Sequence, residues 1–255
     1  MKNNNDTEIL SGKGLTKVFG FGAQRTIAVD HVDFSFRKGE IISIVGESGS
    51  GKTTLAKIIA DIIKPDGGHV LFGGRDINTL GADYMHYRKN VQVVFQDPYL
   101  SLNPKLTIFS AMKDAFKVHG IKGDPREICG RYLEMVGLEK EHMDRYPHEF
   151  SGGQRQRVSI ARALSLEPDI IIADEPVSSL DVSVQAQILN LLKKLKLENG
   201  VTFILISHDL AVVSFLCDDV AVMHNGQMVE YGTVDRVLSH PEKDYTKKLL
   251  EASGG

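Results

Sequence analysis

The sequence predicts an α/β protein built on a mostly parallel sheet, with an N-terminal antiparallel β subdomain and an inserted α-helical subdomain. Three observations support this fold class. Continuous runs of β-branched residues alternate with helical segments, which is typical of a parallel sheet covered on both faces. Apolar and polar residues alternate within residues 8–45, which favours antiparallel strands. From about Leu106 to Leu164 a helical periodicity replaces the strand pattern.

The first part of the chain is predicted to form strands followed by a helix. Alternation over residues 28–36 predicts an antiparallel strand, and residues 17–20 are expected to interrupt the strands before it. The apolar run at 40–45 predicts a buried central strand, and residues 52–62 predict a helix. A Lys-Pro-Asp-Gly-Gly turn at 64–68 is followed directly by a predicted hairpin strand.

The inserted helical lobe is predicted over about residues 97–164, after a short buried strand at 91–95. Its apolar residues recur at helical spacing on two faces. The first face consists of Ile108, Met112, Ala115 and Phe116, and the second of Ile128, Tyr132, Leu133 and Val136. The core is predicted to comprise residues 1–96 and 165–255, so the whole chain forms one domain with an insertion.

Strands and helices alternate again after the lobe. The predicted strands lie at 170–174, 202–207 and 220–223, and the predicted helices at about 183–198, near 209–217 and near 245–252. Asn225-Gly226 is a dipeptide that closes β-hairpins, so residues 228–231 are predicted to pair with the strand before them.

Length and composition limit the classes of function. With 255 residues, 42% of them hydrophobic, the chain can bury a large core. A net charge of −3 provides no basic excess for binding nucleic acid. Cys129 and Cys217 lack the spacing of metal ligands and are expected to be buried apolar residues of a protein in a reducing cytosol. No stretch approaches the ~18 apolar residues of a spanning helix, so work at a membrane would need another chain.

A phosphate-binding loop is predicted at residues 46–53, where Gly, four residues, Gly, Lys and Thr stand between a buried strand and a helix. Backbone N–H groups in such a loop surround phosphate oxygens, and the helix N-terminus adds partial positive charge. We expect Lys52 to reach the outer phosphates and the Thr53 hydroxyl to hold Mg²⁺. The alternative is a glycine-rich surface turn. The candidate nucleotide-binding residues are Gly46, Glu47, Ser48, Gly49, Ser50, Gly51, Lys52, Thr53 and Thr54. The loop indicates a P-loop NTPase core.

An acidic pair, Asp174-Glu175, follows four apolar residues and is expected at the carboxyl end of a buried strand, where ligands bind in open α/β sheets. Asp174 would hold Mg²⁺, and Glu175 would position or polarise the attacking water. Alternatively, the pair is stabilised at a helix N-terminus by the helix dipole. Phe19 is an aromatic residue that could stack on a purine or simply pack.

The sequence resembles the ATP-binding subunits of ABC transporters over about residues 8–250. The Ser-Gly-Gly-Gln-Arg sequence at 151–155 matches the signature motif of that family and shortly precedes the strand that ends at Asp174. Other motifs follow in the expected order: Phe19 as the adenine-stacking aromatic, Gln96 as the Q-loop glutamine, Ser179-Leu180-Asp181 as the D-loop and His208 as the switch histidine.

The resemblance implies a RecA-like core that binds ATP and Mg²⁺, with catalytic roles for Glu175, His208 and Gln96. Gln96 would also contact Mg²⁺ or water and act as a hinge between the core and the lobe. Ser151, Gly152, Gly153 and Gln154 would contact the nucleotide of another subunit in a head-to-tail dimer, and Asp181 completes the nucleotide-binding set. Without the family resemblance, Ser151 and the two glycines after it are typical of an ordinary helix N-cap. His208 alone is likewise typical of a surface cap residue.

A narrower resemblance concerns the peptide and nickel importer branch of this family. Residues 94–104 and 181–187 are similar to that branch, as is the ending with Pro241, Tyr245-Thr246 and Leu249-Leu250. The resemblance implies an ATP-hydrolysing subunit that powers the import of oligo- or dipeptides. Nickel, metal chelates and oligosaccharides are the alternative substrates.

The partners that the resemblance implies are a second ABC ATPase subunit, of the same or a related chain, and two transmembrane permease subunits. An extracytoplasmic substrate-binding protein would act indirectly, and no nucleic acid is expected. The chain would lie peripherally on the cytoplasmic face of the cell membrane. A groove between core and lobe, near Gln96 and the loop at 97–104, is expected to receive a permease helix that contacts Tyr99 or Leu100.

Two other classes of protein share the phosphate loop. A soluble ABC ATPase acting on DNA or ribosomes usually fuses two cassettes or inserts long coiled coils, and this sequence has neither, nor a basic stripe. A phosphate-loop kinase or GTPase is disfavoured by the signature motif and by the lack of an Asn-Lys-x-Asp guanine-reading motif.

Overall fold

The computed structural model describes residues 8–22, 25–97 and 102–252, so Tyr99 and Leu100, the expected permease contacts, lie outside the described residues. The strands are β1 (Glu8–Phe19), β2 (Thr26–Arg37), β3 (Ile41–Val45), β4 (Gly67–Phe72), β5 (Arg75–Asp76), β6 (Val91–Val94), β7 (Ile170–Asp174), β8 (Thr202–Ile206), β9 (Asp219–His224) and β10 (Gln227–Thr233). The α-helices are α1 (Lys52–Ile59), α2 (Tyr84–Asn90), α3 (Ile108–Val118), α4 (Pro125–Met135), α5 (Gly152–Leu164), α6 (Val182–Asn199), α7 (Leu210–Leu216), α8 (Val234–Ser239) and α9 (Asp244–Ala252).

The larger sheet has the strand order β10-β9-β3-β8-β7-β6. Only the β9–β10 pair is antiparallel among its described pairs, so the predicted mostly parallel sheet is confirmed. Alternate residues of β7 enter opposite cores: Ile170 and Ile172 pack on the face covered by α1, whereas Ile171 and Ala173 pack on the face covered by α6. Burial on both faces explains why these strands are continuously apolar.

The smaller sheet has the order β2-β1-β4-β5, and its described pairs are all antiparallel. The predicted interruption at residues 17–20 is wrong, because Lys17, Val18 and Phe19 continue β1 by pairing with β2. The predicted helix at 52–62 ends earlier, at Ile59. Asp61 there has a left-handed φ of 54°, and the N–H of Ile62 bonds to the carbonyl of Lys57, which is a Schellman ending.

Three helices, α3, α4 and α5, form the lobe that separates β6 from β7. Each begins at a polar cap: Thr107, Asp124 and Ser151 accept a hydrogen bond from a backbone N–H of the first turn. The predicted faces point inward, with Ile108, Met112, Phe116, Tyr132, Leu133 and Val136 buried and Ala115 and Ile128 packed beside them. Residues 97–164 remain our proposed bounds for this subdomain.

Two cysteines lie in apolar surroundings, Cys129 buried in the lobe and Cys217 half-buried after α7. Burial raises the pKa of each thiol to about 12, so both stay protonated at neutral pH. Helices α2 and α8 were not predicted from the sequence. Within the described residues, no helix has the length and apolar character needed to cross a membrane.

Candidate nucleotide site

The phosphate loop joins the end of β3 to the start of α1. It contains two glycines at which a side chain would displace the neighbouring backbone. Gly46 and Gly51 have φ angles of 148° and 104°. A Cβ atom on Gly46 would lie 2.2 Å from the Met223 carbonyl oxygen, and one on Gly51 would lie 2.1 Å from the Ala28 carbonyl oxygen. Close backbone contact, together with a left-handed φ, explains the glycines at these positions.

Lys52 is buried within this loop. Its Nζ donates to the carbonyl oxygens of Gly46 (2.8 Å) and Glu47 (2.7 Å) and lies 3.5 Å from Ser50 Oγ, a longer contact that a phosphate oxygen can replace. Burial lowers the pKa of Lys52, and the nearby Glu175 and Asp174 oppose that effect. No side chain in the described chain caps α1, so its first N–H groups remain available to an anion.

Asp174 ends β7 beside the first turn of α1. Burial and the neighbouring Glu175 raise the pKa of Asp174, while Lys57, Lys52 and a hydrogen bond with the Thr53 side chain oppose the rise. A hydroxyl and a carboxylate oxygen are ligands that suit Mg²⁺. Within the described ranges, no group of three or more His, Cys, Asp or Glu side chains has an arrangement that could hold a metal ion. These two residues therefore fit an ion that takes its other ligands from phosphates and water.

Glu175 contacts the two other predicted catalytic residues, Gln96 and His208. Its Oε1 lies 3.0 Å from His208 Nδ1, and its Oε2 accepts a hydrogen bond of 3.1 Å from Gln96 Nε2. Its backbone N–H bonds to the carbonyl of Ile206 on β8, and its φ is 46°, in the left-handed region. Such a strained conformation persists where the surrounding structure holds it, commonly at functional sites. Ser178, which accepts a second bond from Gln96, was not predicted because it lies just before the Ser179-Leu180-Asp181 motif and belongs to no motif itself.

A cavity of about 390 Å³ brings the phosphate loop together with the ends of β7 and β8. It is lined by Ala28, Ser48, Gly49, Gly51, Lys52, Thr53, Thr54, Glu175 and His208. Both cationic and anionic groups face it, which suits a triphosphate and the water that attacks it. Ala28 was not predicted as a site residue.

The signature residues lie elsewhere in the described chain and do not line this cavity. Ser151 accepts a hydrogen bond from the Gln154 N–H at 3.3 Å, and Gln154 Oε1 accepts one from the Ser151 N–H at 3.0 Å, which together form a capping box. Asp181 caps α6 by accepting from the N–H of Val184, and hydrogen bonds with Ser183 and Val184 lower its pKa. The first turns of α5 and α6 touch, since a Cβ on Gly153 would lie 2.3 Å from Val184 Cγ1.

Phe19, at the end of β1, is also outside the cavity lining. Its side chain is 45% exposed, and the Lys17 ammonium lies 5.7 Å from its ring centroid. The structure therefore places the predicted site residues in separate groups: the cavity with Asp174 and Gln96 beside it, the adjoining N-termini of α5 and α6, and Phe19 on the antiparallel sheet.

Comparison with known proteins gives a consistent assignment. The ABC transporter family model matches residues 29–178. The chain is 45% identical over 253 residues to the oligopeptide transport ATP-binding protein OppF of Streptococcus mutans, which covers 97% of this chain and 82% of that protein. A putative peptide import ATP-binding protein of Brucella ovis is 44% identical over 250 residues, covering 97% of this chain and 79% of the relative.

Solved structures agree with the sequence matches. The chain resembles cbiO1 of Clostridium perfringens, part of an ABC transporter complex, with a TM-score of 0.79 and 30% identity, covering 92% of each chain. The ATP-binding cassette MJ0796, solved as a dimer with ADP and Pi, matches with a TM-score of 0.79 and 31% identity, covering 89% of this chain and 99% of that one. The chain therefore belongs to the ABC transporter family and is one of its ATP-hydrolysing, nucleotide-binding subunits.

Proposed function

We propose that this chain hydrolyses ATP to power a peptide importer, and that its site works with the residues predicted above. The observation that carries the proposal is the Glu175 carboxylate, held between Gln96 and His208 at the phosphate-loop cavity. The peptide substrate is supported by the names of relatives that are 44–45% identical and match nearly the whole chain. Nickel, metal chelates and oligosaccharides are the alternative cargoes.

We propose that the site accelerates hydrolysis by positioning ATP and the attacking water and by neutralising phosphate charge. The phosphate-loop N–H groups and Lys52 hold the phosphates of ATP, and Thr53 and Asp174 would hold Mg²⁺, which neutralises phosphate charge when bound. Glu175 orients a water molecule and accepts its proton as the water oxygen attacks the terminal phosphorus and the bond to the bridging oxygen breaks. His208 contacts Glu175 through Nδ1, and when the ring carries both protons its Nε2–H can donate to a phosphate oxygen. Gln96 holds the other carboxylate oxygen in place.

A second ATPase subunit, a copy or a relative of this chain, is proposed to complete the site. Ser151 and Gly152 are exposed at the N-terminus of α5, and they do not line the cavity of their own chain. A helix N-terminus binds anions, so this one can contact a phosphate held by the partner's loop. Head-to-tail pairing would place two such helix ends over two nucleotides. Phe19 is proposed to stack on adenine, and Asp181 to lie at the subunit boundary.

A groove between the core and the lobe is the proposed contact with the permease. It has a volume of about 540 Å³, and its lining includes the exposed apolar side chains Ile62, Met85 and Val118. Arg88 and His119 also line it, and burial together with Lys89 and Arg88 lowers the pKa of His119. Exposed apolar residues beside the Arg88 guanidinium suit a short amphipathic helix that carries an acidic residue. Through the permease pair the chain would lie on the cytoplasmic face of the membrane and act with a substrate-binding protein indirectly.

The test of the catalytic assignment is Glu175→Gln, which keeps the shape of the side chain and removes its charge. We expect ATP hydrolysis to fall at least about a hundredfold, because proton acceptance by a positioned base contributes about 10²–10⁴-fold. We also expect Mg-ATP to shift the variant, alone or with its partner cassette, from monomer to dimer in size-exclusion chromatography, because the uncleaved nucleotide contacts both subunits.

Two further variants make the test specific. Ser151→Arg in the Glu175→Gln background should abolish the dimer, because it places bulk and positive charge opposite Lys52. Glu198→Gln, at an exposed position on α6, is the matched control and should hydrolyse ATP normally. Wild-type hydrolysis by Glu175→Gln would remove Glu175 from catalysis. An inactive variant that stays monomeric with the partner present would contradict the shared site.

A further inference from the structure

We infer that Tyr245, near the start of the C-terminal helix α9, is a positioning residue that holds the phosphate loop ready for nucleotide. The inference rests on the loop being the ATP site. The backbone N–H of Glu47 donates a hydrogen bond of 3.1 Å to the Tyr245 hydroxyl, across 198 positions of sequence. Glu47 is the second residue of the loop, and its own side chain is exposed.

The Tyr245 ring is held in place by the β9–β10 hairpin. It stacks on His224, with ring centroids 3.8 Å apart and an interplanar angle of 26°. The same hairpin contacts the loop directly, since the Gly226 N–H donates to the Ser50 carbonyl at 3.0 Å. Tyr245 and Gly226 therefore hold two points of the loop from outside the cavity.

The helix that carries Tyr245 is tied to the sheet by a buried carboxylate on β10. Glu230 accepts hydrogen bonds from the backbone N–H groups of Glu242 (2.9 Å) and Lys243 (3.2 Å), in the segment that enters α9. Burial acts to raise the pKa of Glu230, but the bonds from the Glu242 and Lys243 N–H groups help to bring it below its ordinary value. The start of α9 is therefore held against the sheet, and Tyr245 contacts the loop from this position.

The contact matters because it holds the Gly46–Glu47 peptide group from the end opposite Lys52. Lys52 donates to the Gly46 carbonyl oxygen of that group, while Tyr245 accepts from its Glu47 N–H. When a phosphate oxygen competes for the Lys52 ammonium, the Tyr245 bond still fixes this peptide. A loop that is already ordered binds its ligand more tightly, because less conformational entropy is lost on binding.

The experiment compares Tyr245→Phe, which retains the stacked ring and removes the hydroxyl, with wild type by calorimetry using Mg-ATP. We expect the Kd to rise about three- to tenfold, the usual contribution of one neutral hydrogen bond. KM should rise and kcat should stay unchanged, because Glu47 does not contact the reacting atoms. The melting temperature without nucleotide should match that of the control.

The matched control is Tyr231→Phe, which loses a hydroxyl bonded to Asp219 at 2.9 Å, away from the loop. It should bind Mg-ATP with wild-type affinity. Glu230→Ala should weaken binding as Tyr245→Phe does, and the double variant should be no weaker than either single variant, since both act through one contact. Wild-type affinity in Tyr245→Phe, or equal losses in Tyr245→Phe and Tyr231→Phe, would overturn the inference. Failure of the wild-type chain itself to bind ATP would instead contradict the proposed function.

Discussion

Lys52 shows at the residue scale how the fold prepares a charge for phosphate. Its ammonium group donates to two carbonyl oxygens of its own loop, at 2.7 and 2.8 Å, and is largely removed from water. Burial disfavours the charged form, and the carboxylates of Asp174 and Glu175 offset part of that effect. The cation is therefore held in position before ATP arrives, so little rearrangement is needed on binding.

We predict that Lys52→Ala weakens Mg-ATP binding by about 10- to 100-fold, because hydrogen bonds to charged groups contribute about 1.5–3 kcal/mol. The far-UV circular dichroism spectrum should be unchanged. Calorimetry measures the affinity, and Lys194→Ala, at an exposed position on α6, serves as the control with normal binding. Undiminished ATP affinity in Lys52→Ala would contradict the assignment of the phosphate loop.

At the scale of elements, the first turns of α5 and α6 are joined by a close contact that a glycine permits. A Cβ on Gly153 would lie 2.3 Å from Val184 Cγ1, whereas one on Gly152 would lie 3.4 Å from Leu180 Cδ2. Gly153 is buried and Gly152 is exposed. The first glycine therefore leaves the helix end open to a ligand, and the second lets the two helices approach.

We predict that Gly153→Ala lowers the free energy of unfolding by about 1–2 kcal/mol, because overpacking costs more than the gain in helix propensity. Urea denaturation measures this change. Gly152→Ala makes the same substitution one residue earlier and should not destabilise the protein. Adding Val184→Ala to Gly153→Ala should recover most of the loss. Equal changes in the free energy of unfolding of the two glycine variants would show that the contact between α5 and α6 does not restrict the side chain at position 153.

Across the whole molecule, the nucleotide cavity and the groove share no lining residue and are linked through Gln96. Gln96 follows β6, one strand of the groove, and bonds to Glu175 at the cavity. The lobe carries α5, whose first turn presents the signature residues and whose later residues line the groove. A movement of the lobe would therefore shift the groove lining and the signature residues at the N-terminus of α5 together.

We predict that Val118→Glu, on the exposed side of the groove, weakens association with the proposed permease subunits by about tenfold or more, because an unpaired charge would be buried on docking. ATP hydrolysis by the isolated chain should stay normal. Copurification from membranes measures the association. Leu197→Glu, at a 75% exposed position on α6, is the control and should retain it. Normal association of Val118→Glu would place the permease elsewhere.

How much the sequence predicted depends on how local each feature is. The phosphate loop, the hairpin at Asn225-Gly226 and the buried strands were predicted because their chemistry lies within a few consecutive residues. Asn225 and Gly226 have the left-handed φ angles, 48° and 79°, that the dipeptide indicates. Helices α2 and α8 were not predicted because they are short, with 7 and 6 residues, and depend on tertiary packing. The predicted C-terminal end of α1 was wrong because Asp61 is not a residue type that marks the end of a helix in sequence.

The sequence by itself determined the family, the α/β class and the residue types of the nucleotide site, since a motif fixes local backbone chemistry and the order in which groups occur. Only the tertiary structure decided which of those groups meet. It placed β3 between β8 and β9, joined Glu175 to Gln96 and His208, left the signature helix outside the cavity, and brought Tyr245 to Glu47. Such contacts depend on strand order and on packing between distant segments, and these are set by burial of the whole apolar core rather than by any short stretch of sequence.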